Sequence, residues 1–298
     1  MSKENIPVFR RICRKFVYLT APIWSDKTFL RMYFWCNLGY KLNLKSPRTF
    51  NEKLNWLKIY NKHPEYSKLV DKKEAKEYVA SIVGEKYIIP TIAVYDNVED
   101  IDFESLPKQF VLKCTHDSGG IVVCKDKTTL DKEAAIRKLK KGLNSNFVSI
   151  TREYPYKNVI PRIIAEQYME DETGELRDYK FFCFNGKVQF FKIDFCRFTN
   201  HRANYYDKQG NLLRFGEIEC PPDYNHIEIL PENINEMIAI AETLSKCSLF
   251  LRVDLFNVKG KIFFGELTFF PASGLGSFFP ENNDEILGSY IHLQIDKQ

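Results

Sequence analysis

Two apolar, β-favouring runs at residues 250–256 and 262–270 flank the turn-forming stretch 257–261, and they carry Arg252, Asp254, Glu266 and Thr268 at alternating positions. Residues two apart on a strand share a face, so this pattern commits the region to a β-hairpin with one apolar and one polar side. Its register then decides the chemistry. With the strands meeting at Gly260, a loop with an odd number of residues puts Asp254 near Glu266 across the ladder, whereas a two-residue loop separates them. Two carboxylates so close repel unless one is protonated or a cation bridges them. Hard oxygen ligands with one hydroxyl suit Mg²⁺, a metal that shares its shell with nucleotide phosphates. A surface hairpin with ordinary solvated charges has the same pattern, so motifs elsewhere must decide between the two.

The chain has 298 residues, 44% hydrophobic and 14% aromatic, enough to bury a large core divided into two or three lobes. Its 43 basic residues against 39 acidic ones leave a net charge of +4. That is too balanced for a nucleic-acid partner but compatible with anionic ligands. The eight cysteines form no C-x-x-C pair and mostly lie in apolar runs such as Phe181-Phe182-Cys183-Phe184. They read as buried thiols of a reducing cytosol. No apolar run approaches the roughly 18 residues of a membrane span. The N-terminus also lacks a leader pattern, so a cytoplasmic location is expected. In residues 9–19, Arg10, Arg11, Arg14 and Lys15 alternate with apolar residues at near-helical spacing. Such a helix suits peripheral contact with anionic lipid at the inner face of a membrane, or packing on the protein's own body.

Residues 1–62 are expected to form an N-terminal helical segment, with Thr49 and Glu52 as a capping box. Residues 63–105 read as an α/β segment, a helix over 67–84 ending at Gly84 and then a strand over 87–95. Residues 106–165 hold a strand reaching Lys113, a polar glycine loop, a second strand over 121–124 and a basic helix over 130–143. In the last segment, 166–298, strands dominate. Asn185-Gly186 between alternating apolar runs is a strong hairpin signal. Residues 231–248 read as one helix begun by Pro231.

Lys113 followed by His116-Asp117-Ser118-Gly119-Gly120 offers charge and backbone N–H groups to a polyphosphate, although an ordinary glycine turn has the same composition. It is neither a Walker loop nor a Rossmann fingerprint. Glu166-Gln167-Tyr168-Met169 leaves a strand into an exposed turn, where backbone groups can meet a purine edge; a surface acid at a strand end is the plainer alternative. Lys180 in the next strand could reach a phosphate or point to solvent, and Arg197 and Arg202 are candidates for holding an anionic substrate. The five histidines lack metal-ligand spacing and no nucleophile motif stands out. Only His116, beside the glycine loop, is kept as a ligand contact.

Taken in order, Val70-Asp71-Lys72, Phe110-Val111-Leu112-Lys113, Ser118-Gly119-Gly120, Glu166-Gln167-Tyr168-Met169, Arg252-Val253-Asp254 and Glu266-Leu267-Thr268 resemble the ATP-grasp ligase series. The likeness is closest to the TupA-like branch, named for teichuronopeptide biosynthesis, and covers about residues 28–293. The resemblance implies an α+β ATP-grasp fold, with a nucleotide between two α+β lobes and an N-terminal helical cap. It implies ATP phosphates on Lys72 and Lys113, with His116 and the loop Ser118, Gly119 and Gly120 closing over them. Glu166, Gln167, Tyr168 and Met169 would form the adenine hinge, and Asp254, Glu266 and Thr268 would hold Mg²⁺. Arg252 and Lys180 would be catalytic, Arg252 stabilising the charge that builds as an amine attacks an acyl phosphate. Thr268 stands where many ATP-grasp enzymes have Asn, and a hydroxyl is a poorer neutral ligand than an amide oxygen. Asp171, Glu172 and Glu175 compete for the role of the ribose-binding acid.

The activity implied is an ATP-dependent carboxylate–amine ligase of cell-surface or capsular polysaccharide biosynthesis. It would join an amino acid to a uronic acid or other acidic acceptor. The alternatives are a phosphotransferase acting on a sugar hydroxyl and a metal-dependent glycosyltransferase.

Overall fold

The computed structural model describes residues 6–295 except 118, 146, 173, 175, 197 and 198. Three helices open the chain: α1 (Val8–Leu19), α2 (Asp26–Leu38) and α3 (Phe50–Tyr60). The Ser25 hydroxyl accepts the Thr28 N–H at the start of α2, and Gly39, at φ 87°, ends it. At α3 the expected capping box is present, Glu52 N–H donating to Thr49 Oγ1 at 3.1 Å and Thr49 N–H to Glu52 Oε2 at 3.2 Å.

The single helix expected over 67–84 is two, α4 (Tyr66–Val70) and α5 (Glu74–Val83). Asp71 makes the break: its carboxylate accepts the N–H groups of Lys73 and Glu74, at 2.8 and 3.1 Å, and so caps a new helix. Lys72 thereby sits in a non-helical joint. The following strand, β1, is confined to Thr91–Tyr95, because a 3-10 turn at Glu85–Tyr87 and Pro90 occupy the rest of the expected stretch.

β2 (Phe110–Cys114), β3 (Ile121–Cys124), helices α6 (Lys132–Leu143) and α7 (Phe147–Thr151), and β4 (Ile163–Gln167) follow. The four strands form one antiparallel sheet in the order β1-β4-β2-β3. Strand β4 straddles residues 165 and 166, where a segment boundary was expected. Ala135 and Leu139 of α6 join the core formed with Phe110, Leu112 and Val122.

The second sheet contains β5 (Asp178–Phe184), β6 (Lys187–Phe195), β7 (Arg202–Asp207) and β8 (Leu212–Leu213). After β9 (Gly216–Glu217) and α8 (Ile234–Leu244) come β10 (Phe250–Val258), β11 (Lys261–Thr268), β12 (Phe278–Phe279) and α9 (Asn283–Ser289). The sheet order is β11-β10-β5-β6-β7-β8, and β9 pairs with β12 apart from it. Asn185 and Gly186, at φ 50° and 75°, make the expected tight turn between β5 and β6. The helix expected over 231–248 is the shorter α8 followed by a 3-10 turn at Ser245–Cys247.

One face of this sheet is core. Phe181, Phe191, Leu251 and Val253 are fully buried with Met237, Ala241 and Leu244 of α8, each large side chain contributing about 1.5–3 kcal/mol by burial. The other face is divided: Phe182, Phe184, Phe190 and Phe250 are buried there, with Phe50 of α3 against Phe184 and Phe250, while Arg252, Asp254, Lys180 and Lys192 make its polar part, which looks into the space beside the four-stranded sheet. At the far end α9 lies on the start of α3, where Gly288 leaves no room for a Cβ beside the Arg48 carbonyl. There the Asp284 carboxylate accepts the Asn51 N–H at 3.0 Å, which ties the first helices to the last.

Candidate active site

Lys259 and Gly260, at φ 51° and 78°, close the hairpin as a two-residue turn that pairs Val258 with Lys261. That register, continued, would leave Asp254 and Glu266 on opposite faces. A bulge at Gly265 corrects it: Leu255 faces Phe264, but Asp254 faces Glu266 and Arg252 faces Thr268. The two acids therefore meet through a two-residue loop plus one extra residue, an outcome outside both loop alternatives that the sequence left open. Glycine fits the bulge because a Cβ there would lie 3.0 Å from the Asp254 carbonyl and 3.1 Å from the Phe256 ring.

Arg252 fills the space between the acids. Its Nε and Nη2 donate to Asp254 at 2.7 Å each, and Nη2 also reaches Glu266 Oε1 at 2.8 Å and Thr268 Oγ1 at 3.0 Å. Burial, with Glu266 alongside, pushes Asp254 up to about 7 against the pull of Arg252. Burial would raise Glu266 as well, but Arg252, Lys72 and Lys180 outweigh it and keep this residue ionised. The Glu266 side chain is 43% exposed, whereas that of Asp254 is 3% exposed.

The polar face continues across the sheet. Lys180 lies opposite Asp254 on one side and Lys192 on the other. Its ammonium donates to Asp178 at 2.9 Å and contacts Asp194; Lys192 donates to Glu217 at 2.7 Å. Burial alone would lower Lys180, but Asp178, Asp194 and Asp254 raise it, so it keeps its proton. Asp194, His201 and Cys220 bring ligand atoms within 4.8 Å of one another. Lys180 and Lys192 already neutralise that carboxylate, and burial pushes the Cys220 thiol up to about 12, which suits an ion-pair network better than a metal.

On the facing sheet, Glu166 is buried between two cations, Lys76 of α5 and Lys113 of β2, each at 2.6 Å. Burial would raise this carboxyl, but Lys113 and Lys76 hold it below the usual range. Lys72 reaches in from its joint, donating to the Asp117 carbonyl, and burial lowers it despite Glu266 and Asp117 nearby. At the glycine loop, Asp117 and Gly120 pack closely. Asp117 accepts the Gly120 N–H at 2.9 Å, and a Cβ on Gly120 would stand 2.6 Å from the Cys114 sulfur.

Between the sheets lies a cleft of about 300 Å³. Ile89, Val111, Ile121, Val123, Leu176 and Phe256 give it apolar walls; Gln167, Tyr168 and Met169 line one end, and Lys72, Lys113, Lys180, Arg252, Asp254 and Glu266 the charged part. A second cavity of about 340 Å³ adjoins it, sharing Lys72, Arg252, Gly265 and Glu266 as a common wall. Its far side is the loop after β11, where Ala272, Ser273 and Gly274 have φ of 48°, 54° and 62°. A polar stripe on α3 holds this unusual backbone. Asn51 donates to the Gly276 carbonyl, Asn55 to that of Gly274 and Lys58 to that of Ser273, all at 2.8 Å. Glu153, also lining the second cavity, accepts the Ser273 hydroxyl at 2.7 Å.

The structure thus brings Lys72, Lys113, Glu166, Gln167, Tyr168, Met169, Lys180, Arg252, Asp254 and Glu266 to one cleft, with Thr268 on the adjoining wall. His116, Gly119, Gly120 and Arg202 line neither cavity, and Ser118, Arg197 and Glu175 lie outside the described residues. Asp171 and Glu172 turn to Arg177, with the Asp171 carboxylate also accepting the Arg177 N–H at 3.1 Å. Among the described acids of residues 171–178, Asp178 lines the cleft. Lys76 and the stripe Asn51, Asn55 and Lys58 are also new. The stripe has i, i+4, i+7 spacing, the one signal in the sequence that could have marked it.

The family model described as "TupA-like ATPgrasp" matches residues 52–292. No curated protein matches the chain. Among solved structures, it resembles a D-alanine–D-alanine ligase from Bacillus anthracis complexed with ATP, at 18% identity and a TM-score of 0.38, over 67% of this chain and 53% of that one. A D-alanine–D-alanine ligase from Helicobacter pylori shares 14% identity at a TM-score of 0.42, over 81% of this chain and 69% of that one. For an L-amino acid ligase from Bacillus licheniformis the figures are 13% and 0.42, over 78% and 51%. The chain thus spans about half the length of the Bacillus anthracis ligase. Likeness this distant transfers no residue role.

Proposed function

Because the chain belongs to the TupA-like ATP-grasp family, we propose that it is an ATP-dependent carboxylate–amine ligase working through an acyl phosphate. The observation that carries this reading is the common wall of Lys72, Arg252 and Glu266, which sets a nucleotide-sized cleft beside a second cavity. The adenine ring would lie between the apolar walls against residues 167–169, with the phosphates on Lys113 and Lys72. Asp254, Glu266 and Thr268 offer the hard oxygen donors that Mg²⁺ takes, and the two acids already require a cation between them, which Arg252 supplies in this structure. When bound there, the metal would neutralise charge on the phosphate oxygens.

In the reaction, a carboxylate oxygen in the second cavity attacks the γ-phosphorus, and the bond to the β–γ bridging oxygen breaks to release ADP. An amine nitrogen then attacks the acyl carbon; the carbon–oxygen bond to phosphate breaks, and the nitrogen loses a proton to give the amide. In this reading Arg252, which lines both cavities, meets the charge that develops between them. Lys180, locked protonated by three carboxylates, contributes positive charge and is no base.

We assign the activity to cell-surface polysaccharide biosynthesis, joining an amino acid to a uronic acid or similar acidic acceptor; family membership alone supports that finer reading. The test is release of ADP and phosphate from ATP with candidate acid and amine pairs. Release that requires both partners is expected. Transfer to a sugar hydroxyl without an amine would instead identify a phosphotransferase, and thermal stabilisation by UDP-sugars but not by Mg²⁺ with ATP would identify a glycosyltransferase.

A further inference from the structure

Helix α1 is mounted inside out. Val8, Phe9, Ile12, Phe16 and Leu19 are 59–69% exposed, and Ile23 just beyond the helix is 79% exposed. These residues fall on one side of the helix at i, i+4, i+8 spacing, so they form a continuous stripe. The inward side is the basic one: Arg14 donates to Asn37 Oδ1 at 3.3 Å, and the Arg10 guanidinium lies against Gly39, where a Cβ would collide with it. Val17 is the only fully buried residue of α1, at 2% exposure. A helix that needed only to pack on the body would bury the stripe and leave its arginines in water.

We propose that α1 docks this protein on the surface of an anionic lipid bilayer, lying in the interface plane with the apolar stripe among the acyl chains. Charge complementarity selects this occupant. Residues 6–25 contain no acid but hold Arg10, Arg11, Arg14 and Lys15, and Arg11 and Lys15 stand exposed on the flank of the stripe, where lipid phosphates would meet them. No described helix is long and apolar enough to cross a membrane, so this contact is one of lying on the surface. The inference does not depend on the ligase reading, since no residue of α1 lines either cavity of the candidate active site.

The experiment is co-sedimentation of the full chain with vesicles of phosphatidylcholine alone and of equal parts phosphatidylcholine and phosphatidylglycerol, with light scattering of the free protein. Binding to the anionic vesicles is expected, weakening as salt is raised. The variant Phe9→Ser/Ile12→Ser/Phe16→Ser should lose about tenfold or more of that affinity. It removes largely exposed groups, of which Phe9 touches the Trp35 ring edge-on, so its melting temperature should stay near that of the wild type. Arg11→Glu/Lys15→Glu should lose binding to anionic vesicles in the same direction. Failure to sediment with either vesicle would overturn the proposal. So would equal binding by the triple variant, or a stable dimer that the triple substitution dissociates, which would make the stripe a protein interface.

Discussion

The two walls of the cleft are unbalanced in opposite directions. On the four-stranded sheet, one acid, Glu166, is held by two lysines, Lys76 and Lys113, so that wall carries surplus positive charge. On the hairpin, two acids, Asp254 and Glu266, share one arginine, so that wall carries surplus negative charge once Asp254, raised to about 7, gives up its proton. A few ångströms along the same sheet, Lys180 and Lys192 with Asp178, Asp194 and Glu217 form a buried network in which most charges have an opposite neighbour. Buried charges left partly unpaired are costly, so the imbalance marks where a ligand should supply the missing sign. A nucleotide phosphate chain with its metal ion has both.

Substitution on the negative wall should have the largest effect. Glu266→Gln removes the surplus charge and should lower turnover about a thousandfold, measured as ADP release. Its melting temperature should change little, because the side chain is 43% exposed and the hairpin rests on its apolar face. Normal turnover would break the comparison at its strongest point.

The balanced network should answer differently, in stability. Asp194→Asn leaves Lys180 and Lys192 short of a partner and should cost about 3–5 kcal/mol in urea unfolding at neutral pH. Lys192, with His201 and Lys180, holds Asp194 far below its unfolded value although burial opposes this. A depressed carboxylate stabilises above its unfolded pKa and loses that contribution as pH falls through the folded one. The gap between wild type and variant should therefore narrow only in strong acid, below the ordinary carboxylate range. A gap that closed near neutral pH would contradict the pairing.

On the positive wall, Lys113→Ala should weaken nucleotide binding by about ten- to a hundredfold, the worth of one charged hydrogen bond, read by calorimetry. Glu166 keeps Lys76, so the fold should hold. Unchanged affinity would show that the surplus charge serves Glu166 alone.

Sequence showed the local features and missed those made across distance. Thr49 with Glu52 and Asn185 with Gly186 could be read directly, because a cap and a tight turn are settled by neighbours in the chain. Loop length left the facing of Asp254 and Glu266 open in the sequence: the turn has two residues, which alone would separate them, and a bulge at Gly265 brings them together. The partners of Glu166 lie 90 and 53 positions away, beyond any periodic pattern. The stripe Asn51, Asn55 and Lys58 looks like an ordinary polar helix face until the left-handed loop it holds is seen. Strand β7, starting at Arg202, was missed because its Asn and Asp weaken the strand signal.

The most direct measurement of the account is the Mg²⁺ dependence of ATP binding by wild type and Glu266→Gln, both followed by calorimetry. If opposite imbalances on the two walls define the site, Mg²⁺ should tighten ATP binding to the wild type and lose most of that effect in the variant, while metal-free ATP binds both alike. Equal enhancement by Mg²⁺ in the two proteins would contradict it.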